Sequence, residues 1–276
     1  MATLVTSLQN PVVKEVRALY SKKARRAAGQ AVVEGVHPLE EAVRAGWRVV
    51  TVLYAPRLQA RPEGQDLLHR LEQAGARLVA VTEEVLDRVA ETETPQGVVA
   101  TVVVREATLA EVARPGGLLV VCDGLQDPGN LGTIWRTAHA FGAAGLVLTA
   151  GSVEPFSPKI IRSATGSVFH LPVVTGLEPV RALAALRKAG YGVAVADAGA
   201  GLPPDRQDLT GSLALVIGSE AAGPSAGFLE NADARLRIPM PGEAESLNAA
   251  VAGAILLYEA ARQRLAKRPE SGPNRS

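Results

Sequence analysis

The chain has 276 residues, 47% of them hydrophobic, and a net charge of +1, which allows two modest domains and is too balanced to name a partner. A single cysteine, Cys122, excludes an intramolecular disulfide and a multi-cysteine metal site, and the four histidines (His37, His69, His139, His170) lack metal-ligand spacing. No apolar run is long enough to span a bilayer, and no charged stretch followed by an apolar core opens the chain, so a cytoplasmic location is expected.

Residues 8–28 read as one amphipathic helix, with Pro11 in its first turn and Val12, Val13, Val16, Leu19 and Tyr20 recurring at helical spacing. This stretch is basic, carrying Lys14, Arg17, Lys22, Lys23, Arg25 and Arg26 against Glu15 alone, and the segment after Ala261 is basic as well. Basic ends on a nearly neutral chain suit an anionic polymer. Short apolar runs follow at 31–33, 49–55, 78–81 and 97–104, separated by helical stretches at 38–45, 63–74 and 83–90. That alternation predicts a small α/β domain over residues 1–105. Residues 106–117, with charges and a Pro-Gly-Gly stop, read as a linker.

A second alternation begins at Leu118. Strands are predicted at 118–123, 146–149, 169–174, 192–197, 213–218 and 234–238, and helices at 130–141, 158–164, 179–189 and 247–264. A second α/β domain over residues 118–265, with a mostly parallel sheet, is the expectation, and residues 266–276 read as a flexible tail. A dinucleotide-binding fold is disfavoured. After Asp123 the chain reads Gly-Leu-Gln-Asp-Pro-Gly-Asn-Leu-Gly-Thr, which fits neither G-x-G-x-x-G nor a Walker A loop.

Three segments of this domain carry candidate chemistry. The first, from Asp127, turns at Pro128 and Gly129, places Asn130 where a helix N-cap belongs, and sets Arg136 six residues further on. The second is an apolar strand ending in Gly218, where a ligand could approach the backbone, followed by Glu220. The third runs from Ile238 through Pro239, Met240, Pro241 and Gly242, a tight loop, to Ser246 or Asn248 as the cap of a long helix.

In order and separation these segments resemble the three signature motifs of the SpoU (TrmH-like) methyltransferases of the SPOUT superfamily. The matching residues are Asn130, Gly132 and Arg136; Gly218, Ser219, Glu220 and Gly223; and Ile238, Pro239 and Met240 with Ser246, Leu247 and Asn248. Residues 153–172 look like that family's connector, and the stretches from Val33 (Val-Glu-Gly-Val-His-Pro) and Thr94 (Thr-Pro-Gln-Gly-Val-Val-Ala) are similar to its attached L30e-like RNA-binding domain. One departure stands out: Ala221 and Ala222 follow Glu220, where the family often carries a glycine.

The resemblance implies a deep trefoil knot in the C-terminal domain, a homodimer formed through that domain, and S-adenosylmethionine as cofactor. It implies transfer of a methyl group to a ribose 2′-hydroxyl of structured RNA, with 23S ribosomal RNA expected ahead of transfer RNA and a non-catalytic RNA-binding relative as a further alternative. Thr149, Gly218, Ile238, Met240 and Leu247 would hold the cofactor. Asn130, Arg136, Glu220, Ser246 and Asn248 would surround the reacting atoms. Related enzymes have been given the arginine matching Arg136 as general base; since guanidinium keeps its proton, an orienting and alkoxide-stabilising role is preferred here. Lys22, Lys23, Arg25 and Arg26 are the expected RNA contacts.

Overall fold

A computed structural model describes residues 4–267. In chain order, α1 (Pro11–Ala18), α2 (Lys22–Ala28), β1 (Gln30–Glu34), α3 (Val36–Arg44) and β2 (Val49–Tyr54) come first. They are followed by α4 (Pro56–Gln59), α5 (Pro62–Gln73), β3 (Arg77–Ala80), α6 (Glu83–Val89) and β4 (Val98–Val103). Next come α7 (Leu109–Val112), β5 (Leu118–Asp123), α8 (Pro128–Ala140), β6 (Gly145–Thr149) and α9 (Pro158–Ser163). After them lie β7 (Val173–Leu177), α10 (Pro179–Lys188), β8 (Gly192–Ala196) and β9 (Leu213–Gly218). The chain then forms α11 (Ala226–Glu230), β10 (Ala234–Leu236) and α12 (Ala249–Lys267).

Among the described residues two compact units result: residues up to 105 with 154–170, and residues 106–153 with those from 171 onward. In the first, a four-stranded sheet runs β1-β4-β2-β3, antiparallel except for the parallel β2–β3 pair. The single helix expected over 8–28 is two. Asn10 accepts from the Val12 amide to start α1, and Ser21 accepts from Ala24 to start α2 after a turn at Leu19 and Tyr20. Burial of Val12, Val13 and Val16 beside Val85, Leu86 and Val89 sets α1 against α6.

Residues 154–170, matched in sequence to a connector of the second domain, pack with this first unit instead. Trp47 is the reason: its indole N–H donates to the Phe169 carbonyl at 2.9 Å, and its ring meets Phe156 and Phe169 with centroids 5.9 and 5.1 Å away. Arg162 of α9 donates to the buried Glu34 carboxylate at 3.1 Å, and Glu34 also accepts from Tyr20 and from the Glu91 and Thr92 amides.

Arg25, expected as an RNA contact, is corrected by its burial. Its guanidinium donates to Glu154 at 2.6 Å and to the Leu19 and Tyr20 carbonyls at 2.9 and 2.7 Å, and both partners are almost wholly covered (6% and 11% exposed). Lys22, Lys23 and Arg26 stand exposed on the same helix. Removing one partner of a buried pair strands the other charge, so Arg25→Ala is expected to cost about 3–5 kcal/mol in urea unfolding, against about 0.5 kcal/mol or less for Lys22→Ala. Equal effects of the two substitutions would contradict the assignment.

The second unit holds a six-stranded sheet, all parallel, in the order β10-β8-β9-β5-β6-β7. β5 and β9 are buried along their whole length, which explains their unbroken apolar runs. Val121, Val193 and Val216 point to a face covered by Ala182, Leu183 and Leu186 of α10 and Phe228 of α11. On the other face α12 packs against α8 and β9, and a Cβ on Gly253 would lie 2.6 Å from the Ile217 side chain. The expected linker contains a helix: α7 opens on a capping box between Thr108 and Glu111 and joins this unit. The strand predicted at 169–174 begins instead at Val173, after a short 3-10 turn over Ser167–Phe169. α12 runs on to Lys267, past the predicted start of the tail; residues 268–276 lie outside the described residues.

Candidate active site

β5 and β9 lie side by side although three strands separate them in sequence, and Asp123 pairs with Gly218 at their carboxyl ends. From β5 the chain moves outward through β6 and β7, then crosses to β8 on the far side of β9. Such a reversal opens a crevice at the strand ends, the usual ligand position in an open parallel sheet.

All three sequence segments meet there. Asp127, not Asn130, caps α8, accepting from the Asn130 amide at 2.7 Å, and Pro128 takes the first helical position. Asn130 therefore sits in the first turn with its side chain free to bridge. Its amide nitrogen donates to Glu220 at 2.9 Å, and its oxygen accepts from Asn248 at 2.9 Å. Asn248 is the cap of the last helix, its oxygen accepting from the Ala250 and Val251 amides at 2.9 and 3.3 Å. Glu220, Asn130 and Asn248 thus form one hydrogen-bonded chain whose two links join residues 90 and 118 positions apart in sequence.

Glu220 also accepts from the Gln126 and Asp127 amides at 3.2 and 3.1 Å. Burial works to raise its carboxyl, but the Asn130 side chain, its own backbone and the Gln126 and Asp127 amides outweigh that and hold it below the usual carboxylate range. Arg136 is exposed on α8, and Ser246 is exposed two residues before the Asn248 cap.

The cofactor candidates divide. Thr149 is 2% exposed, and its hydroxyl donates to Asp123 at 2.8 Å while accepting from the Gly124 amide at 3.0 Å, so its side chain belongs to the frame beneath the crevice. Gly218 is approached by the chain itself: a Cβ there would fall 2.0 Å from the Pro224 nitrogen and 2.1 Å from the Gly223 carbonyl carbon. Its missing side chain lets residues 219–225 fold back over the strand end, where Ser219 and Gly223 exchange backbone hydrogen bonds. Ile238, Met240 and Leu247 are part-exposed apolar side chains on the loop leading from β10 to α12.

Sequence reasoning passed over Asp123. This carboxylate, 3% exposed, accepts from Thr149 and from the Ser225 amide at 2.7 Å, tying the ends of β5 and β6 to the loop after β9. An aspartate ending an otherwise apolar buried strand was the available signal. The Ser225 hydroxyl beside it is buried without a hydrogen-bond partner. An unsatisfied hydroxyl, part-covered apolar side chains and two carboxylates suit a ligand with polar, apolar and cationic parts, as S-adenosylmethionine has. Among the described residues no cluster of three metal-capable side chains occurs, and no helix is long and apolar enough to cross a membrane.

Residues 117–258 match the SpoU rRNA Methylase family, and residues 10–100 match the MRM3-like substrate binding domain. The chain is 37% identical over 256 residues to the 23S rRNA (guanosine(2553)-2′-O)-methyltransferase RlmP of Bacillus subtilis, covering 92% of this chain and 97% of that protein. It is 36% identical over 264 residues to the 23S rRNA (uridine(2479)-2′-O)-methyltransferase of Streptomyces viridochromogenes, covering 92% and 90%. Among solved structures, the AdoMet-bound rRNA methyltransferase from Sinorhizobium meliloti superposes with a TM-score of 0.87 at 33% identity, over 95% of this chain and 98% of that one. The SpoU methyltransferase AviRb from Streptomyces viridochromogenes, in complex with AdoMet, gives 0.86 at 34% identity, over 94% and 100%.

Proposed function

Since the chain belongs to the SpoU rRNA methylase family, we propose that it transfers a methyl group from S-adenosylmethionine to a ribose 2′-hydroxyl of 23S ribosomal RNA. The observation that carries this reading is the Glu220–Asn130–Asn248 chain, which draws all three signature segments to one crevice. Bound there, the cofactor supplies an electrophilic methyl on a sulfonium. Asn130, Ser246 and Asn248 fix the loop and the incoming hydroxyl, and Glu220 holds Asn130 in orientation. Arg136 orients the RNA phosphate and stabilises charge developing on the ribose oxygen. Ile238, Met240 and Leu247 form an apolar seat for adenine, with backbone groups near Gly218 as polar contacts.

The same reading includes a trefoil knot in the C-terminal domain, an L30e-like fold for the first unit, a cytoplasmic place of action and a homodimer through the C-terminal domain. Exposed Val251, Ile255, Tyr258 and Leu265, spaced along α12, support the dimer. Purified protein should bind S-adenosylmethionine. Ribose-methylation mapping in a deletion strain should show one lost mark in 23S rRNA; a mark lost from transfer RNA alone would redirect the substrate, and no lost mark would reject the reading.

Lys22, Lys23 and Arg26 supply phosphate contacts in this scheme. Replacing all three with Gln is expected to flatten the slope of log binding constant against log salt by about 2, since each phosphate contact contributes roughly 0.7–0.9. An unchanged slope would remove α2 from the RNA surface.

A further inference from the structure

We infer that Asp123 and Glu220 make the donor pocket selective for positive charge, so that the cationic sulfonium donor is held in preference to the neutral thioether left after transfer. This rests on the proposed use of S-adenosylmethionine and assigns a specificity-determining role to a pair of side chains. The two carboxylates stand together at the crevice: Asp123 ends β5 opposite Gly218, and Glu220 follows Gly218 by two residues. Every hydrogen bond they accept comes from a neutral group. Asp123 has the Thr149 hydroxyl and the Ser225 amide, and Glu220 has the Gln126 and Asp127 amides and the Asn130 side chain.

Neutral donors satisfy a carboxylate's oxygens without cancelling its charge. Of the two, Glu220 is exposed and Asp123 is buried. Among the described residues, Glu34 and Glu154 are well covered too, but each meets an arginine. Asp123 is as deeply covered as they are and meets no cation within ion-pair distance. The field it shares with Glu220 is felt by a neighbour. Burial pushes the Cys122 thiol up to about 12, and Glu220 and then Asp123 add to the rise by opposing a second negative charge. A strand end that resists a thiolate favours a cation for the same reason, and poor solvent screening at a buried carboxylate strengthens the effect.

The selectivity has a use. Methyl transfer turns the donor from a cation into a neutral thioether, and a pocket that reads charge holds the first and releases the second. No residue needs to move for this to happen.

Isothermal titration of the RNA-free protein with three ligands tests it: S-adenosylmethionine, sinefungin (an amine replaces the methyl sulfonium) and S-adenosylhomocysteine (neutral at the same position). Asp123→Asn is expected to weaken the two cationic ligands about tenfold and the neutral one less than twofold. Glu220→Gln is expected to shift the ratio in the same direction, and it carries the test if Asp123→Asn does not fold. Equal weakening of all three would make Asp123 and Glu220 purely architectural and overturn the inference, as would unchanged ratios in both variants. Wild-type protein that binds none of the three would instead overturn the donor reading on which the inference rests.

Discussion

Arg136→Ala is expected to lower single-turnover ribose methylation by about 100- to 1,000-fold while leaving S-adenosylmethionine binding within about twofold, because in the proposed role it removes a positive charge that stabilises the developing alkoxide. Its position supports that division of effects. Asn130 occupies the first turn of α8 and is held between Glu220 and Asn248, whereas Arg136 lies six residues on, about 9 Å further along the axis, and is exposed. The hydrogen-bonded frame therefore survives its loss, and so should the donor pocket. Arg136→Lys separates the two possible roles. A lysine keeps a positive charge but loses the planar fork that matches a phosphate, so an orienting arginine predicts a large loss with an unchanged pH–rate profile. Retained activity with a displaced acidic limb would favour proton abstraction instead.

The second large effect is steric. Gly218→Ala places a Cβ about 2 Å from backbone atoms of Gly223 and Pro224, a distance no backbone shift of a few tenths of an ångström can relieve. The loop carrying Glu220 must then lift away from β9. Donor affinity is expected to fall at least tenfold, with a stability loss of about 1–3 kcal/mol from overpacking. Gly211→Ala is the matched control: a Cβ there meets nothing within 4 Å, and its effect in thermal unfolding should be near zero. If the two variants melted together and bound the donor equally, the loop would not depend on the close approach at Gly218.

Local physics wrote much of this protein into its sequence. The apolar runs of β5 and β9 announce strands buried on both faces, and the alternation of runs with amphipathic stretches announces covered α/β layers. The three loop segments also stood out locally, because each joins turn-forming residues to a polar side chain at a helix start or strand end. What the sequence could not order was non-local. That Asp127 rather than Asn130 caps α8 follows from where Glu220 and Asn248 stand, since the Asn130 side chain is drawn to them instead of to its own helix.

Charge count likewise failed to separate Arg25 from Lys22, Lys23 and Arg26. The partner Glu154, 129 residues away, together with the Leu19 and Tyr20 carbonyls, turns that one arginine inward. The division of the chain into units has the same origin: residues 154–170 join the first unit because Trp47 and Glu34 have room and hydrogen bonds for Phe169 and Arg162. Propensity and periodicity act within about a dozen residues of a position. Burial of a charge and the pairing of Asp123 with Gly218 depend on what the folded chain brings alongside, and that only the tertiary structure decides.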